Sequence, residues 1–249
     1  MQLQLSTWAE VEDYLKRSTA VIMPIGSTEQ HGPTGVIGID ALTSESIAKA
    51  IGEATGALVA PTISVGMAQH HMGFAGSMTL RPSTLIALIQ DYVTSLAKHG
   101  FTQFFFINGH GGNIATVTAA FSEIYAESSL GPAGNKTPVR CKLKNWWMTP
   151  GVSRLSKELY AGEEGHHATP SEVAVTQYLY PAAIRQQALS PRVAPSADDF
   201  ADAADYRRLF PDGRIGSNPS LANPADGKRL FDAAVADIAE EFKRFRTAA

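Results

Sequence analysis

The chain has 249 residues, of which 44% are hydrophobic and 18% are charged, and its formal net charge is −3. These values are ordinary for a soluble globular protein, and the length fits one domain over residues 1–249 better than two independent domains. The weak acidity argues against a nucleic-acid-binding protein, which normally has a basic face. A single cysteine, Cys141, excludes a disulfide within the chain and suits a reducing compartment.

The amino-terminal residues 1–8 read MQLQLSTW and lack the basic start, the apolar run and the cleavage site of a secretory signal. No apolar stretch approaches the ~20 residues that are needed to span a bilayer. We therefore expect a cytoplasmic protein that has no membrane partner.

In chain order, apolar runs of strand length alternate with segments of helical periodicity. The predicted strands cover residues 20–25, 57–65, 102–107 and 138–144. The predicted helices cover residues 41–54, 83–99, 113 to about 127, and the regions near 170–179 and 225–246. Ser83 is the expected N-cap of the second helix.

This alternation predicts an α/β fold with a mostly parallel sheet that is covered by helices on both faces. The strands read as apolar throughout, as strands buried on both faces should. Residues 185–224 are richer in Pro, Asp, Ala and Arg and are less periodic. We expect them to form long surface loops that contribute to a binding site or a subunit contact.

Most of the histidines are placed where the predicted strands end. A single histidine in such a place is more often structural than functional. Open α/β folds bind ligands beyond the carboxyl ends of their strands, however, and here three strands would deliver imidazoles to that edge. The set therefore favours a functional site, with His99 as an incidental surface residue. The histidines concerned are His31, His70, His71 and His110, with His166 and His167 before a late helix.

The first motif is Gly26–Gly32 (GSTEQHG), which is followed by Asp40. In an extended segment, Glu29 and His31 would lie on the same side, where each could hold a metal ion. Asp40 could return to this site from the next helix and bridge two ions. The ordinary alternatives make Glu29 a solvated loop acid and Asp40 the N-cap of that helix.

The second motif is Asn108–Asn113 (NGHGGN), directly after an apolar run. Its glycines allow a sharp turn, but it has neither the spacing nor the lysine of a phosphate-binding loop. The central histidine, His110, points to a metal ligand instead. The alternative is a glycine-rich strand-to-helix turn with a hydrogen-bonded histidine.

The third motif is Glu163–Glu172 (EEGHHATPSE). Thr169 is a natural N-cap, and Glu172 stands three residues on, which makes a capping box. Glu172 therefore has a structural explanation. It would also lie near His167 in the first helical turn, and the pair could serve as ligand and acid/base.

Together these motifs resemble the creatininase (creatinine amidohydrolase) family over most of the chain, with a further match at His71–Gly76 (HMGFAG). The resemblance implies an αβα sandwich with a binuclear metal centre. The set of His, Glu and Asp donors suits Zn²⁺ or Mn²⁺, with Fe²⁺ as a further option. The resemblance assigns Glu29, Asp40 and His110 to one ion. It assigns His31, the bridging Asp40 and a further carboxylate to the other ion, with His167 as the catalytic histidine. It also implies a homohexamer that hydrolyses a cyclic amide or a formamide.

The chain departs from the creatinine-cleaving pattern, in which a Tyr-Glu pair follows the central histidine of the second motif. Gly111 and Gly112 stand there instead, so a metal-binding glutamate is missing. Glu172 replaces it, or only one ion binds firmly. The Gly-Gly form is more similar to the deformylase and peptide-trimming branches. The tryptophans Trp146 and Trp147 could line the pocket or pack in the core.

We therefore expect a metal-dependent hydrolase in which activated water attacks a small-molecule amide and His167, with Glu172, transfers a proton to the leaving nitrogen. Two alternatives stay open. One is a non-catalytic protein on the same fold that binds a metal or a small ligand. The other is a phosphoesterase, which is disfavoured because the motifs hold no cluster of arginine or lysine.

Overall fold

A computed structural model describes residues 1–131, 138–197 and 199–247. Its sheet has the strand order β2-β1-β3-β4 and is parallel throughout. Eight α-helices are seen among the described residues. The strands are β1 (Ala20–Ile25), β2 (Leu58–Val59), β3 (Gln103–Asn108) and β4 (Arg140–Asn145). The helices are α1 (Trp8–Leu15), α2 (Ile39–Thr55), α3 (Pro82–Lys98), α4 (Asn113–Leu130), α5 (Pro150–Tyr160), α6 (Pro170–Leu179), α7 (Ala203–Leu209) and α8 (Pro224–Thr247).

The central strands β1 and β3 have no exposed residue, so successive side chains enter opposite faces of the sheet. Ile22 and Phe105 pack on one face against α2, α5, α6 and α8. Val21 and Phe104 pack on the other face against α1, α3 and α4. The predicted αβα sandwich with a mostly parallel sheet is therefore confirmed.

The second predicted strand is much shorter than residues 57–65. Pairing with β1 is regular only at Leu58 and Val59. Backbone hydrogen bonds from Ala60 and Ile63 to β1 still hold the segment beside the sheet.

The expectation that every strand is apolar is wrong for β4, whose sequence is RCKLKN. This strand is at the edge of the sheet, where charged side chains are tolerated and discourage pairing with another chain. Lys142 and Lys144 each form an ion pair with Glu241 of α8 at 2.6 Å.

The expected N-cap at Ser83 is also wrong. Helix α3 begins one residue earlier, at Pro82, and Arg81 occupies the N-cap position without a side-chain cap. Proline is favoured at the first helical position because its fixed φ suits the helix and its missing N–H would lack a partner there anyway.

Three helices were not predicted, and two of them, α1 and α5, carry start signals. Thr7 and Glu10 form a capping box before α1, and Pro150 occupies the first turn of α5. Residues 185–224 are largely irregular, as expected, but they include α7; residue 198 lies outside the described part. Within the described residues, none of the helices combines the length and apolarity that crossing a membrane requires.

Candidate metal centre

The candidate ligands meet at the carboxyl edge of the sheet. Glu29 and His31 follow β1, and His110 follows β3. Asp40 lies in the first turn of α2, and Glu172 in the first turn of α6. All but Glu172 are buried, and Glu172 has only 15% of its side chain exposed. The structure thus brings together all five residues that the sequence suggested as ligands.

Glycines explain how α2 approaches this edge so closely. A Cβ atom on Gly109 would lie 2.1 Å from the backbone oxygen of Asp40, and one on Gly26 would lie 2.4 Å from the backbone carbon. Both distances are far below any real contact, so side chains at these positions would push Asp40 out of the centre. The N-cap of α2 is Gly38, so Asp40 does not cap its own helix.

The two asparagines of the second motif hold the turn that carries His110. Asn108 accepts a hydrogen bond from the His110 N–H and donates one to the His110 carbonyl, at 3.1 and 2.7 Å. Asn113 donates to the Gly26 carbonyl at 2.9 Å and accepts from the Met67 N–H at 3.0 Å. These bonds link the ends of β1 and β3.

Asp40 lies between two imidazoles. Its Oδ1 atom is 3.0 Å from His31 Nε2, and its Oδ2 atom is 3.1 Å from His110 Nδ1. Glu29 Oε1 is also 3.1 Å from His110 Nδ1, and Glu172 Oε1 is 3.9 Å from His31 Nε2. Asp40 therefore belongs to two triads whose ligand atoms lie within 4.8 Å of one another, Glu29–Asp40–His110 and His31–Asp40–Glu172.

The orientation of both imidazoles suits metal ligation. His110 Nε2 donates to the Met67 carbonyl at 2.9 Å, and His31 Nδ1 donates to the Glu29 carbonyl at 3.0 Å. The other nitrogen of each ring therefore faces the carboxylates. Histidines that bind metals usually donate their outer N–H to a carbonyl or a carboxylate in this way.

The buried carboxylates also fit a cation. Glu29 Oε2 has no hydrogen-bond partner. Glu29 Oε1 and Asp40 Oδ2 face only imidazole nitrogens, the nearest at 3.1 Å. A buried carboxylate without partners is costly, and proteins compensate for it with hydrogen bonds, opposite charge or a metal ion. The donor set of three carboxylates and two imidazoles suits Zn²⁺ or Mn²⁺.

The electrostatics agree with this reading. Burial lowers the pKa of His31, but Asp40 and Glu172 outweigh burial and raise that pKa to about 10. Burial likewise opposes the charge on His110, but Glu29 and Asp40 hold its pKa well above the usual value. The carboxylates thus favour positive charge at the inner imidazole nitrogens, where a metal ion would replace the proton.

Glu172 has two contacts of different kinds. The predicted capping box is confirmed, since Glu172 Oε1 accepts from the Thr169 N–H at 2.5 Å while Thr169 Oγ1 accepts from the Glu172 N–H at 3.3 Å. The same carboxylate lies beside His31 and Asp40. Burial raises the pKa of Glu172 to about 7, although His31 partly opposes this shift.

Residue 112, where the creatinine-cleaving pattern has its glutamate, has no room for a side chain in this backbone arrangement. A Cβ atom on Gly112 would lie 2.4 Å from His110 Nε2 and 2.6 Å from the Met67 carbonyl oxygen. In this backbone arrangement, a glutamate at residue 112 would displace His110 from its hydrogen bond to Met67.

His167 lies beside the first triad, with Nδ1 at 3.8 Å from Glu29 Oε1. Its Nε2 atom donates to the Gln30 carbonyl at 2.8 Å. Burial lowers the pKa of His167 well below its usual value, and the neighbouring His71 and His31 lower it further. The ring is therefore neutral near pH 7.

A cavity of about 410 Å³ opens onto Asp40, His110, His167 and Glu172. Trp146 and Trp147 line it, and Trp146 is also buried in the core, so both expected positions of the tryptophans are realised. The more polar part of the wall contains Lys157, Glu164, His166 and Ser171.

Sequence reasoning missed two contributors to this site. Gln30 lies within the first motif, but its side-chain nitrogen contacts residues 41 to 183 positions away. Glu164 stands in the third motif, and burial raises its pKa to about 7. The sequence marks His71 as a strand-end histidine and as the start of the segment His71–Gly76, but assigns it no role. His71 lies with Nε2 at 3.1 Å from Glu29 Oε1, while the tilted ring of His70 packs against it with 4.1 Å between the ring centroids.

Comparison with known proteins places the chain among amidohydrolases. Residues 4–242 match the family model described as Creatininase: Creatinine amidohydrolase. A mycofactocin precursor peptide peptidase of Mycobacterium tuberculosis is 29% identical over 245 residues, which cover 92% of this chain and 86% of the relative. A creatinine amidohydrolase of Pseudomonas putida is 26% identical over 247 residues, which cover 95% and 94%.

Solved structures show the same fold. A structure named creatininase Mn has a TM-score of 0.84 at 23% identity, covering 99% of this chain and 98% of that one. A mutant creatininase of Zn-Zn type has a TM-score of 0.82 at 24% identity with the same coverage. The family model covers nearly the whole chain and the architecture agrees with it, so this protein belongs to the creatininase family of hydrolases.

Proposed function

We propose that this protein is a metal-dependent amidohydrolase with two divalent ions, which Glu29, His31, Asp40, His110 and Glu172 hold. One observation carries the proposal: Asp40 presents one oxygen to each of two imidazoles and so belongs to two ligand triads. A carboxylate in this position can bridge two ions.

The bound ions would polarise an amide carbonyl and make a water acidic enough to supply hydroxide near neutral pH. Zn²⁺ or Mn²⁺ is proposed because of the mixed imidazole and carboxylate donors. The names of two related solved structures, one with Mn and one of Zn-Zn type, point the same way.

His167 is proposed as the proton carrier. It lines the cavity, and its Nδ1 atom makes no hydrogen bond within the described residues, while Nε2 is held by the Gln30 carbonyl. Because the ring is neutral near pH 7, Nδ1 can accept a proton and later release it to the leaving nitrogen. A general base requires this combination of a fixed orientation and a free acceptor.

Glu172 would act chiefly as a ligand in the second triad. It completes a set of three donors with His31 and Asp40, where the creatinine-cleaving pattern has a glutamate from the second motif. With a pKa of about 7, Glu172 is easily deprotonated by a bound cation. Its proposed help to His167 in proton transfer depends on how firmly the second ion is held.

The substrate class proposed from the sequence is a cyclic amide or a formamide, and the cavity of about 410 Å³ suits a small molecule. The second candidate is hydrolysis of a peptide bond. It is favoured by the mycobacterial relatives, which are named as peptidases of a precursor peptide and are 27 to 29% identical to this chain. We further propose a cytoplasmic homohexamer, on the family resemblance alone, and light scattering in solution tests the oligomer.

Elemental analysis of protein purified without added metal tests the central proposal. We expect close to two transition-metal ions per chain. One ion would restrict the proposal to the Glu29–Asp40–His110 triad. No metal, even after incubation with Zn²⁺, Mn²⁺ and Fe²⁺, would refute it. Turnover of matched lactams, formamides and short peptides then decides the substrate class, and a metal-loaded protein that cleaves none of them would favour a binding protein.

A further inference from the structure

Gln30 stands between the candidate ligands Glu29 and His31, and its side chain is buried. The side-chain amide is surrounded by polar atoms of His71, His167, Tyr206 and Gly213. An amide has one acceptor oxygen and two N–H donors, so these neighbours compete for a limited number of hydrogen bonds. The competition can be resolved from the geometry.

The orientation of the amide is fixed by two backbone groups. The Gly32 N–H donates to Gln30 Oε1 at 2.8 Å, and Gln30 Nε2 donates to the Gly213 carbonyl at 2.9 Å. Reversing the amide would set an NH₂ group against an N–H and an oxygen against a carbonyl. Gly213 also packs directly on the amide, because a Cβ atom there would lie 1.9 Å from Gln30 Oε1.

The second hydrogen on Nε2 faces His71, whose Nδ1 atom is 2.9 Å away. An amide nitrogen cannot accept, so Nδ1 must accept and therefore carries no proton. A neutral imidazole then has its proton on Nε2, which lies 3.1 Å from Glu29 Oε1. Tyr206, at the longer distance of 3.4 Å, needs no hydrogen from Gln30, because its hydroxyl donates to Gly213 at 2.8 Å.

The same residue fixes the proton on His167. The Gln30 main-chain carbonyl is 2.8 Å from His167 Nε2 and can only accept, so Nε2 must carry the proton. The side-chain Nε2 of Gln30 is also close, at 2.9 Å, but both of its hydrogens are already used. The unprotonated Nδ1 of His167 is left on the side of Glu29.

We propose that Gln30 is a positioning residue that sets the tautomers of two histidines at once. Through its side chain it makes His71 donate to Glu29 and so orients that carboxylate. Through its backbone it leaves the Nδ1 lone pair of His167 facing the centre. The assignment of the protons depends only on the hydrogen bonds, whereas its consequence for metal affinity rests on the proposed metal centre.

Neutron diffraction from a crystal exchanged into D₂O tests the tautomers directly. We expect deuterium on Nε2 of both His71 and His167 and none on either Nδ1. Deuterium on Nδ1 of either ring overturns the proposal. This measurement uses the natural sequence, so it does not depend on whether a variant folds, and its result does not depend on the proposed function.

The variant Gln30→Glu tests the consequence, because it keeps the shape of the side chain and replaces the NH₂ donor with an acceptor. The added negative charge alone would tighten cation binding. Loss of the correct His71 tautomer should instead weaken it, by the roughly 10- to 100-fold typical of groups that orient metal ligands. The opposite signs separate the two effects.

The affinity for Zn²⁺ is measured by competition with a chromogenic chelator, and Gln69→Glu is the control. Gln69 is exposed and close in sequence to His71, so it adds the same charge without touching the network. Weaker binding in Gln30→Glu, with unchanged or tighter binding in Gln69→Glu, supports the proposal. Equal or tighter binding in Gln30→Glu overturns it. If the natural protein binds no Zn²⁺, the metal proposal fails and the neutron result alone decides the role of Gln30.

Discussion

Two fully buried charged side chains, Arg214 and Glu29, differ in how completely their hydrogen bonds are satisfied. Arg214 has all its donor groups used, in hydrogen bonds to the side chain of Asp212 and to the carbonyls of Pro191, Arg192 and Ser217. Glu29 is equally buried, but its Oε2 atom has no hydrogen-bond partner and its Oε1 atom faces only imidazole nitrogens, those of His71 and His110 at 3.1 Å. A buried charged side chain with a structural role has its hydrogen bonds completed within the protein, whereas a metal ligand keeps lone pairs for the ion. This difference points to the candidate centre independently of any motif.

The largest effect, on metal content and activity, is expected at the candidate metal centre. Asp40→Ala removes the residue that belongs to both triads, so we expect loss of both ions and a fall in amidase activity of at least about 10³-fold, since metal activation is worth several kcal/mol. Metal content by mass spectrometry and turnover of the best substrate are the measurements. Full metal content in Asp40→Ala would mean that the centre is misplaced.

Substitution of Arg214 should instead lower the free energy of unfolding. Arg214→Met leaves Asp212 and three carbonyls without their partner, and breaking a buried pair from one side costs about 3–5 kcal/mol. Urea denaturation measures this change, and metal content per folded chain should stay unchanged. Arg192→Met is the control, because Arg192 is exposed and pairs with Glu163 on the surface, where such a pair is worth about 1 kcal/mol or less. Equal losses in the two variants would contradict the structural role of Arg214.

The contrast also explains what the sequence could predict. Ligands lie at strand ends and helix starts, and local signals mark those places: the buried runs of β1 and β3, the glycines of the turns and the capping box at Thr169. Four of the five candidate ligands were predictable because each stands in a short motif at such a point, and Asp40 because it follows the first motif at the start of a predicted helix. Their roles as ligands remain proposals until metal is measured.

What the sequence could not predict depends on contacts between distant segments. The hydrogen bonds of Gln30 with His71 and Gly213 span 41 and 183 residues, and no periodicity reports them. The buried position of Arg214 likewise depends on loops that meet only in the fold. The error at β4 has another cause. A strand pattern alone does not reveal that β4 lies at the edge of the sheet, where its lysines are tolerated.

Glu164 is intermediate between Arg214 and Glu29 in how completely its hydrogen bonds are satisfied. Its substitution is expected to have the smallest effect, a pH-dependent change in the free energy of unfolding. One oxygen of Glu164 accepts from Ser171, and the other is buried without a partner. Burial raises the pKa of Glu164 from 4.5 to about 7. The folded state therefore keeps a proton that the unfolded state releases between these pH values, so the free energy of unfolding falls as the pH rises through that range.

In Glu164→Gln this contribution is absent. Between pH 4.5 and pH 8, the stability of the variant relative to the natural protein should therefore rise. We expect a rise of about 1–2 kcal/mol, less than the full pKa shift would give, because the side chain is still partly exposed. Urea denaturation of both proteins at each pH, with the same metal content, gives the difference and cancels the other titrating groups. A difference that stays constant with pH would contradict the raised pKa. It would show that the ionised carboxylate of Glu164 already has compensating partners, as the charged side chain of Arg214 does.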